Sequence, residues 1–427
     1  MPCRLLRTLA WLMVITISFS ACAPAATSSS QDSSLTSGAS SGSASVQTES
    51  LPEDTSAAPV AAIPEPKPKL TPRDIDEALS AVMEDYTATA VSVATIEQGE
   101  VSQAGAWGWA VKDQREMTAD TKLRVASISK VAIAMCAMAM AEDGLVDLDA
   151  PLSAYWGEGA VNPYSQTQPS IRTLMSHTSS RKDLEITWGL SRLQGIMNSS
   201  SSWRNMEPGD SGYWYYSNFG MCILGTTLEL AADQMLDDYF QSRFCQPMGL
   251  RASFYGGNLP EEQLATLYNP GSVGRSAAAQ ANESVPSEIG IGASYYPGGL
   301  TISAVDLAKL ISILTNKGVY QDTQYLSEES VAELETPLFS VDPGESSVFE
   351  QCLILRRQEN LLGQDVLCYH TGSAYGVYAL MSFNPETGNG VVVLTTGAPW
   401  STDEYGLYSL CSDLSEDLYA RMEDDVI

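Results

Sequence analysis

The chain is short of histidine and of positive charge. Only two histidines, His177 and His370, occur in 427 residues, and the eight cysteines are scattered with no C-x-x-C pair. That spacing excludes a structural zinc site and a histidine-rich metal centre, so neither a metal nor another cofactor is expected. Lysine and arginine number 23 against 52 aspartates and glutamates, a formal net charge of −29. With no basic patch and no interleaving of basic with aromatic residues, nucleic acid is excluded as a partner. Long apolar runs are missing too, since the most apolar early stretch, Leu9 to Phe19, is too short for a comfortable membrane span.

That stretch follows Arg4 and Arg7 and precedes Ser20, Ala21 and Cys22, the layout of a secretion signal. Small residues directly before a cysteine also fit a bacterial lipoprotein cleavage site, which leaves Cys22 as a lipidated first residue and attaches the protein to the membrane. Phe19 stands where leucine is usual, so ordinary cleavage near Ala23 or Ala26, giving a secreted protein, is the alternative. Residues 23–69 are rich in serine, threonine and alanine and then in proline, without hydrophobic periodicity. They read as a flexible tether. Residues 70–427 remain, enough for one large two-lobed domain placed outside the cytoplasm.

Within that domain the most informative feature is Ser127 followed three residues later by Lys130, at the start of a long run rich in alanine and methionine. The run has high helix propensity, and residues three apart share a helix face. A lysine amine so placed can reach the serine hydroxyl, and a helix N-terminus presents unpaired N–H groups to an oxyanion. The pattern predicts a hydrolase that forms an acyl-enzyme. It is weak by itself: Ser179 and Lys182 repeat it in a polar stretch with no apolar helix behind, as a solvated loop would. Partners are needed, and two occur downstream. Tyr216, Ser217 and Asn218 form a Y-x-N element on a turn before an apolar run. Later, Val366 to Tyr369 read as an apolar strand ending in a small, flexible element of His370, Thr371 and Gly372, where the glycine allows a substrate backbone to approach closely.

Together these elements resemble the serine β-lactamase and penicillin-binding protein superfamily, in its branch of class C β-lactamases, D-alanyl-D-alanine carboxypeptidases and related esterases. The resemblance covers roughly residues 70 to 425. It extends to the segment from Ile171 to Ser179, the turn from Glu142 to Pro151, and the loop and helix from Pro297 to Ala308. The resemblance implies that Ser127 is the acyl-accepting nucleophile and Lys130 its activator. Tyr216 becomes the candidate general base and later acid, so either Lys130 or Tyr216 takes the hydroxyl proton. Asn218 would hold the substrate amide and Lys130 by hydrogen bonds. His370, Thr371, Gly372 and Ser373 would line the substrate, with the N–H groups of Ser127 and Ser373 forming the oxyanion hole. His370 replaces the lysine of most β-lactamases. A histidine is only fractionally charged near neutral pH and attracts a substrate carboxylate less constantly. His177 reads as a buried histidine hydrogen-bonded to neighbouring backbone.

The activity so implied is that of an exported D-alanyl-D-alanine carboxypeptidase-like enzyme acting on peptidoglycan peptides. The alternatives are a β-lactamase or small-ester hydrolase on the same scaffold, and a non-catalytic penicillin- or peptide-binding wall protein. The expected fold is α+β and β-lactamase/transpeptidase-like: an antiparallel sheet built from both ends of the chain, flanked by terminal helices and interrupted by an α-rich lobe. The first helix begins at Thr71 and Pro72. Strands follow at Val91 to Ile96 and Ala104 to Val111, then at Cys352 to Arg357, Asp365 to Tyr369, Val377 to Phe383 and Val391 to Thr396. A helical tail runs from Glu404 to Met422. Of the six cysteines in the domain, Cys352 and Cys368 flank a predicted hairpin and are the best candidates for a bridge, while Cys136 reads as an inert thiol inside the nucleophile helix. Trp203, Tyr213, Trp214 and Tyr215 either line the cleft beside Tyr216 or pack a loop.

Overall fold

A computed structural model of the chain describes residues 70–344 and 346–423. The expected signal segment, the tether and Cys22 lie outside the described residues. The first helix, Pro72–Asp85, starts where the sequence places it. Thr71 accepts from the Asp74 N–H while the Asp74 carboxylate accepts from the Thr71 N–H, a reciprocal cap.

An antiparallel sheet of nine strands organises the described residues. Its order is Phe339–Val341, Phe349–Gln351, Arg356–Leu361, Gln364–Ala374, Val377–Phe383, Gly390–Thr396, Ala90–Glu97, Glu100–Val111 and Arg115–Glu116. Among the described residues the first strand in chain order therefore pairs with the last, Val93 opposite Val393. Side-chain alternation separates two layers. Val91, Val93, Leu367, Leu380, Val391 and Val393 face a cluster with Leu79 of the first helix and Leu414 and Leu418 of the last, Ser409–Glu423. Ala94, Ile96, Ala379, Met381, Val392 and Leu394 face the opposite cluster, which joins the sheet to the helical lobe. Each valine, leucine, isoleucine or methionine among them, removed from water, stabilises the fold by about 1.5–3 kcal/mol.

The lobe between residues 125 and 300 is mainly helical. Its centre is the helix Ser129–Glu142, in which Ser129 through Met140 are all buried. A helix apolar all round can only sit inside other structure, and small alanines let its neighbours approach on every side. Lys130 is its sole basic residue.

Three expectations need correction. Cys352 to Leu355 form no strand: Cys352 N–H donates to the Leu355 carbonyl at 3.0 Å, closing a turn between Phe349–Gln351 and Arg356–Leu361. No bridge joins Cys352 to Cys368, because the register sets Arg357 opposite Cys368, while the Cys352 thiol turns to the Glu335 carbonyl. All six cysteines of the described residues are buried free thiols, Cys136 among them. Finally, the strand that reaches His370 does not end there but continues through Gly372 to Ala374.

Candidate active site

Ser127 lies on a single tight turn, Ala126–Ile128, immediately before the buried helix. In the run from residue 121 to residue 140 it is the only position that is not buried. The turn is fixed from two sides. On one, Val125 N–H donates to the Leu300 carbonyl at 2.8 Å, and Leu300 N–H donates to Ser129 Oγ at 2.9 Å. Ser129 Oγ in turn donates to the Ala126 carbonyl at 2.6 Å. On the other side runs the strand carrying His370. A Cβ built on Gly372 would lie 2.2 Å from the Val125 carbonyl oxygen. Gly372 is thus required here because the strand passes against the Ser127 turn. Ala126, held between, has φ of +49°, a left-handed conformation costly for a residue with a Cβ and tolerated where packing dictates it.

Lys130 is fully buried, and its Nζ donates to Ser127 Oγ at 3.0 Å and to the Pro297 carbonyl at 2.7 Å. No carboxylate of the described residues lies within ion-pair distance of Nζ, so two neutral oxygens are its hydrogen-bond acceptors. The same Nζ stands 4.9 Å from the centre of the Tyr216 ring. The structure therefore brings Ser127, Lys130 and Tyr216 together. Asn218 is half-buried at the first position of the helix Asn218–Ala232, next to Tyr216, and makes no hydrogen bond to Lys130. The second Ser-x-x-Lys pattern is not a site: Lys182 is exposed and donates to the Ser201 carbonyl at 2.6 Å, away from Ser179.

Residues 370 to 374 pair with Val377–Phe383 along one edge only, since the pairing with Arg356–Leu361 ends at Tyr369. The strand meets the Ser127 turn through the face that carries the Gly372 Cβ position. Ser373 is exposed and Thr371 half-buried on this segment. His370 is buried, and its Nδ1–H donates to the Thr371 carbonyl at 2.7 Å. Burial first, then the charges of Lys130 and Arg356, pull its pKa down to about 3. The ring is therefore neutral throughout the physiological range, a stronger departure from a cation than its ordinary titration suggests. His177 is held well below its usual range by burial and then by Lys130, His370 and Arg356. As expected, it is buried and bonded to backbone, with Nδ1 accepting from the Ser217 N–H at 3.3 Å.

Sequence reasoning missed two contributors. The Pro297 carbonyl is invisible in a sequence because backbone atoms carry no residue signature, although the Pro-Gly-Gly loop that bears it is legible. Asp183 Oδ1 accepts from Ser217 Oγ at 2.8 Å and from the Phe219 N–H at 2.9 Å, fixing the start of the helix behind Tyr216. Ser217 before an apolar run was the available signal for a cap there. Of the aromatic cluster, Tyr213 and Tyr215 are exposed while Trp203 and Trp214 pack inward. Trp203 is buried beneath the Arg181 guanidinium, 4.2 Å from its ring centre, and the Trp214 indole N–H donates to Gln351 at 3.1 Å.

A large antiparallel sheet packed against a helical lobe is the architecture of the β-lactamase/transpeptidase fold. Solved structures agree. A penicillin-binding protein homologue from Pyrococcus abyssi matches at a TM-score of 0.62 with 20% identity, over 82% of this chain and 76% of that one. A class C β-lactamase from Rhodobacter sphaeroides matches at 0.61 with 19% identity, over 83% and 100%. A β-lactamase/D-alanine carboxypeptidase from Pseudomonas syringae matches at 0.61 with 18% identity, over 83% and 99%. The family model described as Beta-lactamase matches residues 75–409, and the chain belongs to that family. A curated relative, Beta-lactamase-like protein 2 of Dictyostelium discoideum, is 24% identical over 197 residues, 43% of this chain. The matched part spans 36% of that relative's length.

Proposed function

We propose that this protein is an exported serine hydrolase that works through an acyl-enzyme on Ser127, resembling a D-alanyl-D-alanine carboxypeptidase that recognises penicillin. The observation that carries the reading is the 3.0 Å contact between Lys130 Nζ and a Ser127 hydroxyl that alone in its segment reaches the surface. Ser127 Oγ attacks the acyl carbonyl, and its proton passes to Lys130 or Tyr216 and then to the departing amine. Water enters, loses its proton to the same group, and releases the acid while Ser127 regains its proton. The N–H groups of Ser127 and Ser373 stabilise the oxyanion. Asn218 binds the substrate amide, and the free edge at Thr371, Gly372 and Ser373 receives an extended peptide as an added strand. The short apolar leader and Cys22 support export with a lipid anchor, and the tether length suits a reach into peptidoglycan.

A specific observation favours a second reading. The neutral, inward-bonded His370 supplies no fixed cation for a substrate carboxylate, which suits a small ester or another uncharged acyl donor on the same machinery. The test is intact mass spectrometry of the protein with benzylpenicillin, with Ser127→Ala in parallel. An adduct on the parent alone supports the acyl-enzyme and the penicillin-recognising class. Its persistence indicates carboxypeptidase-like behaviour or a sensor, and rapid loss a β-lactamase. With no adduct and intact antibiotic, the penicillin-recognising reading fails and esters become the substrates to assay.

A further inference from the structure

We infer that His177 is the positioning residue for Tyr216, bracketing it by accepting one backbone hydrogen bond from the residue on either side. This rests on the proposed role of Tyr216 in Ser127 chemistry. Tyr215 N–H donates to the His177 carbonyl at 3.0 Å, and Ser217 N–H donates to His177 Nδ1 at 3.3 Å. The imidazole lies against the phenol itself, ring centres 4.6 Å apart at an interplanar angle of 46°. One residue thus fixes the backbone before Tyr216, the backbone after it, and one side of its ring. His177 achieves this with φ of +59°, a left-handed conformation that few side chains adopt without strain.

The arrangement dictates the tautomer. Nδ1 accepts, so it carries no proton, and the proton is on Nε2, which is buried with no partner among the described residues. An imidazolium would turn Nδ1 into a donor facing the Ser217 N–H and would break the bracket. His370 has the opposite tautomer, donating through Nδ1. A general base is sensitive to such placement, because a misplacement of about 1 Å costs on the order of 100-fold in rate.

With only two histidines in the chain, both rings can be followed individually in protein carrying 15N-labelled histidine. The expected spectrum shows His177 with unprotonated Nδ1 and protonated Nε2, its signals identified by their loss in His177→Asn. A protonated Nδ1 would overturn the inference. Asparagine retains an acceptor near the Nδ1 position and tolerates positive φ, whereas leucine retains bulk alone. In His177→Leu, the Ser217 amide should exchange faster with solvent and labelling of Ser127 by a fluorescent penicillin should slow by about 10–100-fold. In His177→Asn both should return to within about threefold of the parent, with thermal midpoints recorded for all three proteins. Equal loss in both variants, or loss in neither, refutes the positioning role. If the parent itself never acylates on Ser127, the proposed function falls, while the ring tautomer and the Ser217 exchange still decide the role of His177.

Discussion

Gly372→Ala should open the site and weaken the fold together. The added methyl would begin 2.2 Å from the Val125 carbonyl oxygen and 3.5 Å from the Ala126 Cβ. The first distance is far inside contact, and the obstacle is backbone, which cannot rotate away as a flexible side chain would. Ordinary contact requires the strand and the nucleophile turn to separate by about 1 Å. The strand cannot yield freely, since Gly372 is paired with Ala379 on its other edge. Forced separation of a packed interior costs typically 1–3 kcal/mol, and the same 1 Å between Ser127 and Ser373 should slow acylation by about 100-fold. Urea unfolding measures the first quantity and labelling with a fluorescent penicillin the second. Gly195→Ala is the control, because Gly195 lies in the helix Leu190–Met197 with nothing within 4 Å of its Cβ position. It should gain about 0.5–1 kcal/mol. A Gly372→Ala protein as stable as the parent, with the strand unmoved in its crystal structure, would refute the close-approach argument whatever the enzyme's substrate.

Two further outcomes are expected. Lys130→Met removes the donor to both Ser127 Oγ and the Pro297 carbonyl while nearly conserving volume, so the adduct rate should fall by about 100- to 10,000-fold without unfolding; an unchanged rate in stopped-flow labelling would remove Lys130 from the mechanism. His370 has its pKa lowered from 6.5 to about 3 in the native state, so between those values the unfolded chain binds a proton that the native protein does not. Its contribution to stability is therefore complete above pH 6.5 and is lost as pH falls toward 3, by on the order of 1.4 kcal/mol per unit. Urea unfolding of the parent and His370→Gln should show their stability difference shrinking on acidification over that window, and parallel curves would place His370 in solvent.

Ser127 and Lys130 were legible because they stand three residues apart where a tight turn runs straight into a helix, a spacing that brings their side chains together. Tyr216 and His370 were legible through the flanking patterns that the resemblance supplied. Their mutual distances were not, since these arise from the packing of the lobe on the sheet. Val377–Phe383 matches its predicted bounds because its apolar run pairs on both sides. The neighbouring strand runs longer than predicted for the opposite reason: Thr371, Gly372 and Ser373 look like a strand breaker, and tertiary contact with the nucleophile turn overrides that local preference. The hairpin expected between Cys352 and Cys368 forms, but its first strand begins only at Arg356 and sets Arg357 opposite Cys368, so the bridge failed on register, which a run of apolar residues does not encode. Asp183 acts from a loop with no periodicity at all, and only its contact with the cap at Ser217 reveals it.

The pairing of Ala90–Glu97 with Gly390–Thr396 sets a timetable for synthesis. Ser127 and Lys130 leave the ribosome early, but Pro297, which receives Lys130, and the strand that presses on Val125 are translated much later. Until the C-terminal strands emerge, the early pair of strands has an open edge and the Ser127 turn has nothing to press against. A nascent or prematurely stopped chain would therefore carry Ser127 and Lys130 without the packing that positions them in the complete fold. The surroundings of Ser127 are therefore completed late and all at once.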